Sequence, residues 1–439
     1  MWVVLCLTAL LVFISYRFYT WANPKCNGKL PPGSMGFPII GETIEFFSPQ
    51  ALYDIPPFIQ KRMYQPDPEI NHYIFQQEGK SFLACYTDSV TEIIGQESIL
   101  TCRGMVHKYL RNLILQLVGP EKLKGMLIHE LDDATRKHLH TWARHGMVDV
   151  KEVMAEMIFG YFAKKLISYD ESRTPRKLRE SYNAFIDGLI SFPLNIPGTA
   201  FHTCLQGRKN AMKVIEEIFE ERKKSTTPHH DFLDHFIEEV KREGAIMNEE
   251  IAVNLVFLLL FASYETTSEA TTLAIKFISD HPQVQAELVK EHEAILRSRD
   301  NEESEITWQE YKSMTFTHMV INETARLANI VPGIFRKAVE DVEVKGYTIP
   351  KGWLVMVVPS VLHLNPTTYD DPLAFNPWRW EGKELHVGSK TFMAFGGGVR
   401  LCAGADFSKL VMAIFSITSL QSTGIYIKLI ASTCPLHTN

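Results

Sequence analysis

The stretch Phe395-Gly396-Gly397-Gly398-Val399-Arg400-Leu401-Cys402-Ala403-Gly404 decides the reading of this chain. An aromatic residue, three glycines, an arginine and one cysteine precede an apolar run, Leu410 to Ile417, with a helical pattern. Consecutive glycines let the backbone turn sharply and lie flat against something bulky. Cys402 then falls where a loop enters a helix, and free backbone N–H groups and the positive helix end stabilise a thiolate there. Gly404 permits close approach of the first helical turn. A cysteine in this setting is a core thiol, a nucleophile or a metal ligand. The glycine run does not read as a phosphate cradle, because no Gly-Lys-Ser/Thr follows it.

The spacing Phe-x-x-Gly-x-Arg-x-Cys-x-Gly, from Phe395 to Gly404, resembles the haem-binding loop of the cytochrome P450 haem-thiolate monooxygenases. The resemblance implies haem b (iron protoporphyrin IX) as cofactor and Cys402 as the axial iron ligand. Thiolate ligation pushes electron density that favours O–O cleavage. It also implies that Arg400 partners a haem propionate. The fold implied is mostly α-helical with small β-sheets, enclosing the haem.

Composition fits one large globular unit: 439 residues, 46% hydrophobic. A net charge of −6 gives no reason to expect a nucleic-acid partner. The seven cysteines are odd in number and scattered, without a Cys-x-x-Cys pair. That excludes a disulfide framework or zinc ribbon and points to a reducing compartment.

Trp2 to Tyr16 carries no charge, and with Phe18, Tyr19 and Trp21 as an aromatic belt the stretch is just long enough to span a bilayer. A cleaved signal peptide would have a basic start and a small-residue cleavage site, and neither is present. The positive charges Arg17, Lys25 and Lys29 all follow the span. The expectation is an uncleaved single-pass anchor in the endoplasmic reticulum membrane, with the catalytic domain in the cytosol. Leu30-Pro31-Pro32-Gly33-Ser34, with Pro38 and Gly41, reads as a stiff spacer. The organisation read from the sequence is an anchor over 1–21, a hinge over 22–41 and a haem-binding domain over 42–439.

Other motifs recur along the chain. His107 and Arg111 stand at i and i+4 on one helical face, alone readable as a solvated basic face. The resemblance implies that they reach the haem propionates, buried carboxylates that need cationic partners. Asn248-Glu249-Glu250 caps a long apolar helix to about Ser279, and Pro282 opens the next. In its centre lies Ala262-Ser263-Tyr264-Glu265-Thr266-Thr267. Thr266 could bond within the helix while Glu265 lies exposed, or the pair could relay protons during catalysis. The segment is similar to the family's oxygen-activation motif, with Ser263 where glycine is commoner, and implies Glu265 and Thr266 as catalytic residues.

Glu323 and Arg326, at i and i+3, are by themselves an ordinary surface pair. The resemblance implies a buried trio with Arg379, from Pro377-Trp378-Arg379, that steadies the haem's proximal side. It also implies that Arg336, on a strand, binds a propionate. Ala262, Ile330, Val331 and Ile334 would wall an apolar substrate pocket, where the bland alternative is plain core. Lys223 to His235 reads as a solvated loop rather than a metal site formed by His229, His230 and His235, and Arg297 to Glu305 reads the same way. Thr307-Trp308-Gln309-Glu310 is a capping box.

The pattern departs from the family in two places. Residues 52 to 85 read as short helical pieces, so an early hairpin after Tyr64 is expected to be missing. After about Phe415 the terminal hairpin is also expected to be missing. Phe192-Pro193-Leu194-Asn195-Ile196-Pro197-Gly198 looks like the plant clan that oxidises sterols, brassinosteroids and triterpenoids. The function implied is oxidation of a large apolar substrate by O2, with electrons from an NADPH-cytochrome reductase, since the chain has no dinucleotide fingerprint of its own. Two alternatives stand beside it: a non-oxygenating haem enzyme of the same fold, and a non-catalytic truncated isoform.

Overall fold

The structure is a computed structural model and describes residues 2–23, 26–34, 36–37, 41–46, 57–61, 67–145, 147–175, 177–301, 304–383 and 389–423. The main helices are α1 (Trp2–Ala22), α2 (Pro68–Gln76), α3 (Gly104–Val118), α4 (Ile128–Trp142), α5 (Val150–Ile167), α6 (Leu178–Asp187), α7 (Ala200–Lys224), α8 (Phe232–Lys241), α9 (Glu249–Asp280), α10 (Pro282–Arg297), α11 (Thr315–Ala328) and α12 (Ala405–Thr423). The strands are β1 (Phe82–Ala84), β2 (Ile334–Ala338), β3 (Val342–Val344), β4 (Tyr347–Ile349) and β5 (Leu354–Val357). The expected architecture, helices with small sheets, is what forms.

Helix α9 organises the core. The Asn248 side chain accepts from the Ile251 N–H at its start, and Glu249 and Glu250 face the positive end of the helix. Ile251 to Leu258 is buried without a break, so no polar face survives there. A helix apolar on every side must be wrapped by neighbours. Helices α3 to α8 and α12 share one apolar cluster with it. By composition α9 is long and apolar enough to cross a membrane, but 67% of its apolar 18-residue window is buried inside the protein. Helix α1 is the opposite case. Its residues from Leu5 to Thr20 are all exposed, with Leu11 64% and Phe13 61% accessible. An uncovered apolar helix of this length needs an apolar surrounding.

Strands β1, β2 and β5 form one antiparallel sheet in the order β1-β2-β5, and β3 and β4 form a hairpin. The strand β1 corrects the purely helical reading of residues 52 to 85. Three residues are too few to show a period, although Phe82 and Ala84 do face inward on either side of Leu83. In the register, Ala84 pairs with Arg336, which pairs with Val355.

The spacer is partly docked rather than free. The Thr348 N–H donates to the Lys29 carbonyl at 2.7 Å, and Asn27 Nδ2 donates to Asp341 at 3.2 Å. A Cβ on Gly28 would stand 2.2 Å from Thr348 Oγ1, so only glycine lets the chain run this close to the hairpin.

Two charged loops form within narrower bounds than expected. Helix α7 continues to Lys224 and Asp231 caps α8, so the exposed loop narrows to residues 225–230. The buried Arg222 binds Asp231 at 2.8 Å and Asp234 at 2.7 Å there. Within the charged run after Arg297, the Arg299 side chain is buried against Glu310 and donates to the Ser304 carbonyl at 2.7 Å. Arg222, just before the first run, and Arg299, within the second, are both buried among charged partners. Residues 62–66, where the early gap is expected, lie outside those described; past Phe415 the last helix runs on to Thr423, and the residues after it lie outside those described as well.

Candidate functional site: a cysteine loop facing an interior cleft

The Cys402 loop is held from both ends. The Cys402 N–H donates to the Phe395 carbonyl at 3.0 Å, closing the loop, and α12 begins at Ala405. Gly396 and Gly398 have φ of 77° and 65°, conformations that favour glycine. What the glycines lie against is a protein ring. A Cβ on Gly397 would stand 2.7 Å from Phe75 Cδ2, and one on Gly398 would stand 2.4 Å from the Phe75 carbonyl oxygen. The end of α2 is thus the bulky group that the glycine run accommodates. At Gly404 a Cβ would lie 4.0 Å from Cys402 Sγ, ordinary contact, so nothing within the protein itself excludes a side chain there.

Cys402 is solvent-accessible, yet protein encloses it deeply enough that burial pushes its thiol pKa up. Together these place it on the wall of an interior cleft rather than the outer surface. The N–H groups of Gly404 and Ala405 and the charge of Arg111 oppose the burial effect. The helix-entry position read from the sequence therefore supplies the Cys402 sulfur with its donors.

Arg111 donates to the Leu401 carbonyl, next to the cysteine. His107, one turn earlier on α3, is held neutral, its pKa pushed down to about 4 by burial and then by Arg400 and Arg111. Arg400 turns away from the loop. It donates to Glu78 at 2.8 Å and to the Cys102 carbonyl at 2.6 Å. Arg336 lies on β2, buried, with its guanidinium 5.3 Å from the Phe75 ring centroid and its Nε 2.8 Å from the other Glu78 oxygen. The structure thus gathers His107, Arg111, Arg336 and Arg400 into one electrostatic group.

On α9, Thr266 Oγ1 donates to the Ala262 carbonyl at 2.7 Å, and Ser263 folds back on the Leu260 carbonyl at 3.1 Å. Glu265 is not on an exposed face. Burial, followed by the nearby Glu269, raises its pKa, and Lys151 opposes this. Lys151 lies 3.8 Å from Glu269. The helix-internal threonine bond of the first reading forms, but its exposed Glu265 does not: that carboxyl is enclosed and less acidic than usual. Ala262 is exposed and Val331 is 45% accessible, while Ile330 and Ile334 are half-buried. Ile334 Cδ1 comes within 3.6 Å of where a Gly396 Cβ would be. Ile330 and Ile334 pack against core clusters, whereas Ala262 and Val331 stand exposed.

Behind the loop sits a buried charge hub. Glu323 and Arg326 have fully buried side chains. Glu323 accepts from Arg326 Nε at 2.9 Å and Nη2 at 2.8 Å, from Arg379 Nε at 2.9 Å, and from Trp380 Nε1 at 2.9 Å. The trio read from the sequence is assembled, and Trp380 is an addition. Burying such charges is tolerable only when every lone pair and proton finds a partner, as happens here.

Sequence reasoning missed Glu78, Trp380, Glu269 and Lys151. Trp380 adjoins a motif already singled out. Glu269 lies one turn beyond Glu265, so a helical-face reading could have found it. Nothing in spacing marks Glu78.

Comparison with known proteins agrees with this geometry. The profile described as Cytochrome P450 matches residues 64–423. Cytochrome P450 87A3 of Oryza sativa subsp. japonica is 52% identical, over 90% of this chain and 81% of that protein. Cucurbitadienol 11-hydroxylase of Siraitia grosvenorii is 38% identical, over 94% of this chain and 92% of that protein. Beta-amyrin 16-alpha-hydroxylase CYP87D16 of Maesa lanceolata is 39% identical over similar shares, 94% and 92%. Among solved structures, the retinoic acid bound cyanobacterial CYP120A1 superposes with a TM-score of 0.76 at 25% identity, covering 90% of this chain and 92% of that one.

The chain belongs to the cytochrome P450 family, the haem-thiolate monooxygenases. It is therefore an oxidoreductase whose cofactor is haem b. The family works with a redox-partner reductase, O2 and an apolar substrate. The residues present fit that cofactor. An accessible thiol carries two N–H donors with Arg111 acting on its sulfur, and Arg336 and Arg400 meet at Glu78 within reach of His107.

Proposed function

We propose that this protein is a membrane-anchored monooxygenase that oxidises a sterol or triterpenoid. The observation that carries the reading is Cys402: an accessible thiol in an enclosed cleft, with the Gly404 and Ala405 N–H groups aimed at its sulfur. Cys402 would hold the haem iron through its thiolate, and Arg336, Arg400, Arg111 and His107 would hold the propionates, with Phe395 and Gly404 shaping the loop. The bound haem supplies oxygen activation and the electron push of its thiolate ligand. The chain's own residues do the rest. Burial, followed by the nearby Glu269, keeps the Glu265 carboxyl less acidic than usual, which suits it to pass a proton on. Thr266 holds a hydroxyl against the Ala262 carbonyl, where it can orient a proton donor. Glu323, Arg326 and Arg379 steady the loop from behind.

The apolar substrate class rests on two supports. Ala262 and Val331 are exposed and Ile330 and Ile334 only half-buried, which leaves apolar surface for a ligand to cover. Relatives 38% and 39% identical carry the names cucurbitadienol and beta-amyrin hydroxylase. An NADPH-cytochrome reductase would supply electrons. Residues 1–21 would anchor the chain in the endoplasmic reticulum membrane as a single pass, residues 22–41 would link it, and the catalytic domain from 42 onward would face the cytosol.

The test is turnover by the full chain in membranes with its reductase, offered sterols and pentacyclic or cucurbitane triterpenoids. A hydroxylated product that requires both O2 and NADPH is the expected result. Turnover without either would favour a non-oxygenating haem enzyme. Oxidation of polar substrates only would contradict the substrate class.

A further inference from the structure

Glu78 is held by backbone on one side and by two arginines on the other. It lies in the turn that follows α2, where the Phe82 N–H donates to the Gln77 carbonyl at 3.2 Å and Gly79 takes a φ of 85°. One carboxylate oxygen accepts the Ala84 N–H at 3.0 Å, from the strand residue paired with Arg336. The same oxygen accepts Arg400 Nε at 2.8 Å, while the other stands 2.8 Å from Arg336 Nε. The side chain of Glu78 is 7% exposed, against 3% for Arg336 and 11% for Arg400. Two guanidinium groups this enclosed repel each other and lose hydration, so a carboxylate between them offsets both costs.

We propose that Glu78 is a positioning residue for the haem edge: it holds Arg336 and Arg400 side by side and sets the charge that the propionates meet. This deepens the haem reading above and rests on it. The charges are commensurate. Arg336, Arg400 and Arg111 carry three positive charges and Glu78 one negative, leaving a balance equal and opposite to the two propionates of haem b. Without Glu78 the protein side would exceed the propionates by one positive charge in a weakly solvated place. Excess positive charge favours the reduced, less positive iron.

The full-length holoprotein tests this by spectroelectrochemistry, comparing wild type with Glu78→Gln and Glu78→Asp. Glu78→Gln keeps shape and loses charge, so its midpoint potential shifts upward. Glu78→Asp keeps the charge and stays near wild type. A role confined to folding moves stability but not the potential. A wild-type potential in Glu78→Gln, with its thiolate spectrum intact, would overturn this inference alone. Absence of a thiolate spectrum in wild type would overturn the haem reading and this inference with it. If Glu78→Gln does not accumulate, the double variant Glu78→Gln/Arg336→Gln decides. Removing both charges restores accumulation if Glu78 serves as the counter-charge, because an unpaired buried charge costs more than none. Failure of the double variant as well would contradict it.

Discussion

Arg326 donates to the backbone carbonyl of His363 at 2.7 Å, and the ring of that same histidine accepts the Met393 N–H at 3.0 Å. One residue therefore joins the buried Glu323 hub to the start of the cysteine loop. Trp380, bonded to Glu323, also packs edge-on against Phe392 at 5.3 Å. The hub and the loop are a single mechanical unit.

Replacing Glu323 with Gln should damage both parts of that unit. Two buried arginines would face a neutral partner, and breaking a buried pair costs about 3–5 kcal/mol. Urea unfolding should show a loss of that order, with haem incorporation falling alongside. Wild-type stability in Glu323→Gln would mean that the hub is not held by charge.

Gly397→Ala should weaken the loop by forcing the Phe75 ring away from its 2.7 Å approach. Gly398→Ala should be worse, since the obstacle is backbone and φ is 65°. Adding Phe75→Leu should recover part of the first loss and none of the second. Thermal unfolding of the three variants checks the order, and equal losses for both alanines would contradict it.

Thr266→Ala should uncouple oxygen consumption from product, because proton delivery loses its oriented hydroxyl. Glu265→Gln should instead slow turnover by about a hundredfold, the usual worth of a positioned acid. Measuring product against O2 consumed separates them. Full coupling in Thr266→Ala would show that the hydroxyl only packs against the Ala262 carbonyl.

Acid should destabilise the fold through its buried histidines. Burial lowers His363 to about 3 and His292 to about 4 from 6.5. Below pH 6.5 the unfolded chain takes up protons that the folded one refuses, so stability is full above pH 6.5 and falls as pH drops toward 4. Each histidine contributes at most about 1.4 kcal/mol per pH unit. Depressed carboxyls such as Asp234 and Glu310 act lower, below 3.8 and 4.5. Raised carboxyls such as Glu265 and Glu269 act in the opposite direction. His292→Gln can keep a bond to Thr317 and should flatten the slope between pH 6.5 and 4.5. Identical slopes in wild type and variant would contradict a neutral buried His292.

The sequence carried those features whose cause is local. The α9 cap at Asn248, the Thr307–Glu310 capping box and the glycines of the cysteine loop each follow from neighbouring residues, and all three form as read. The hub trio was legible through resemblance, because i and i+3 spacing alone would place Glu323 and Arg326 on a surface. What escaped was long-range. Strand β1 exists because β2 pairs with it, not because three residues insist on extension. Arg222 and Arg299 are buried because partners close over them. Glu78 meets Arg400 from 322 residues away, a separation at which no spacing rule operates.

The central claim is that the Cys402 thiolate holds the haem, and the carbon monoxide difference spectrum of the reduced protein tests it most directly. Wild type should give a thiolate-type Soret shift, and Cys402→Ala should lose it while the chain still accumulates. A thiolate spectrum that persists in Cys402→Ala would contradict the account.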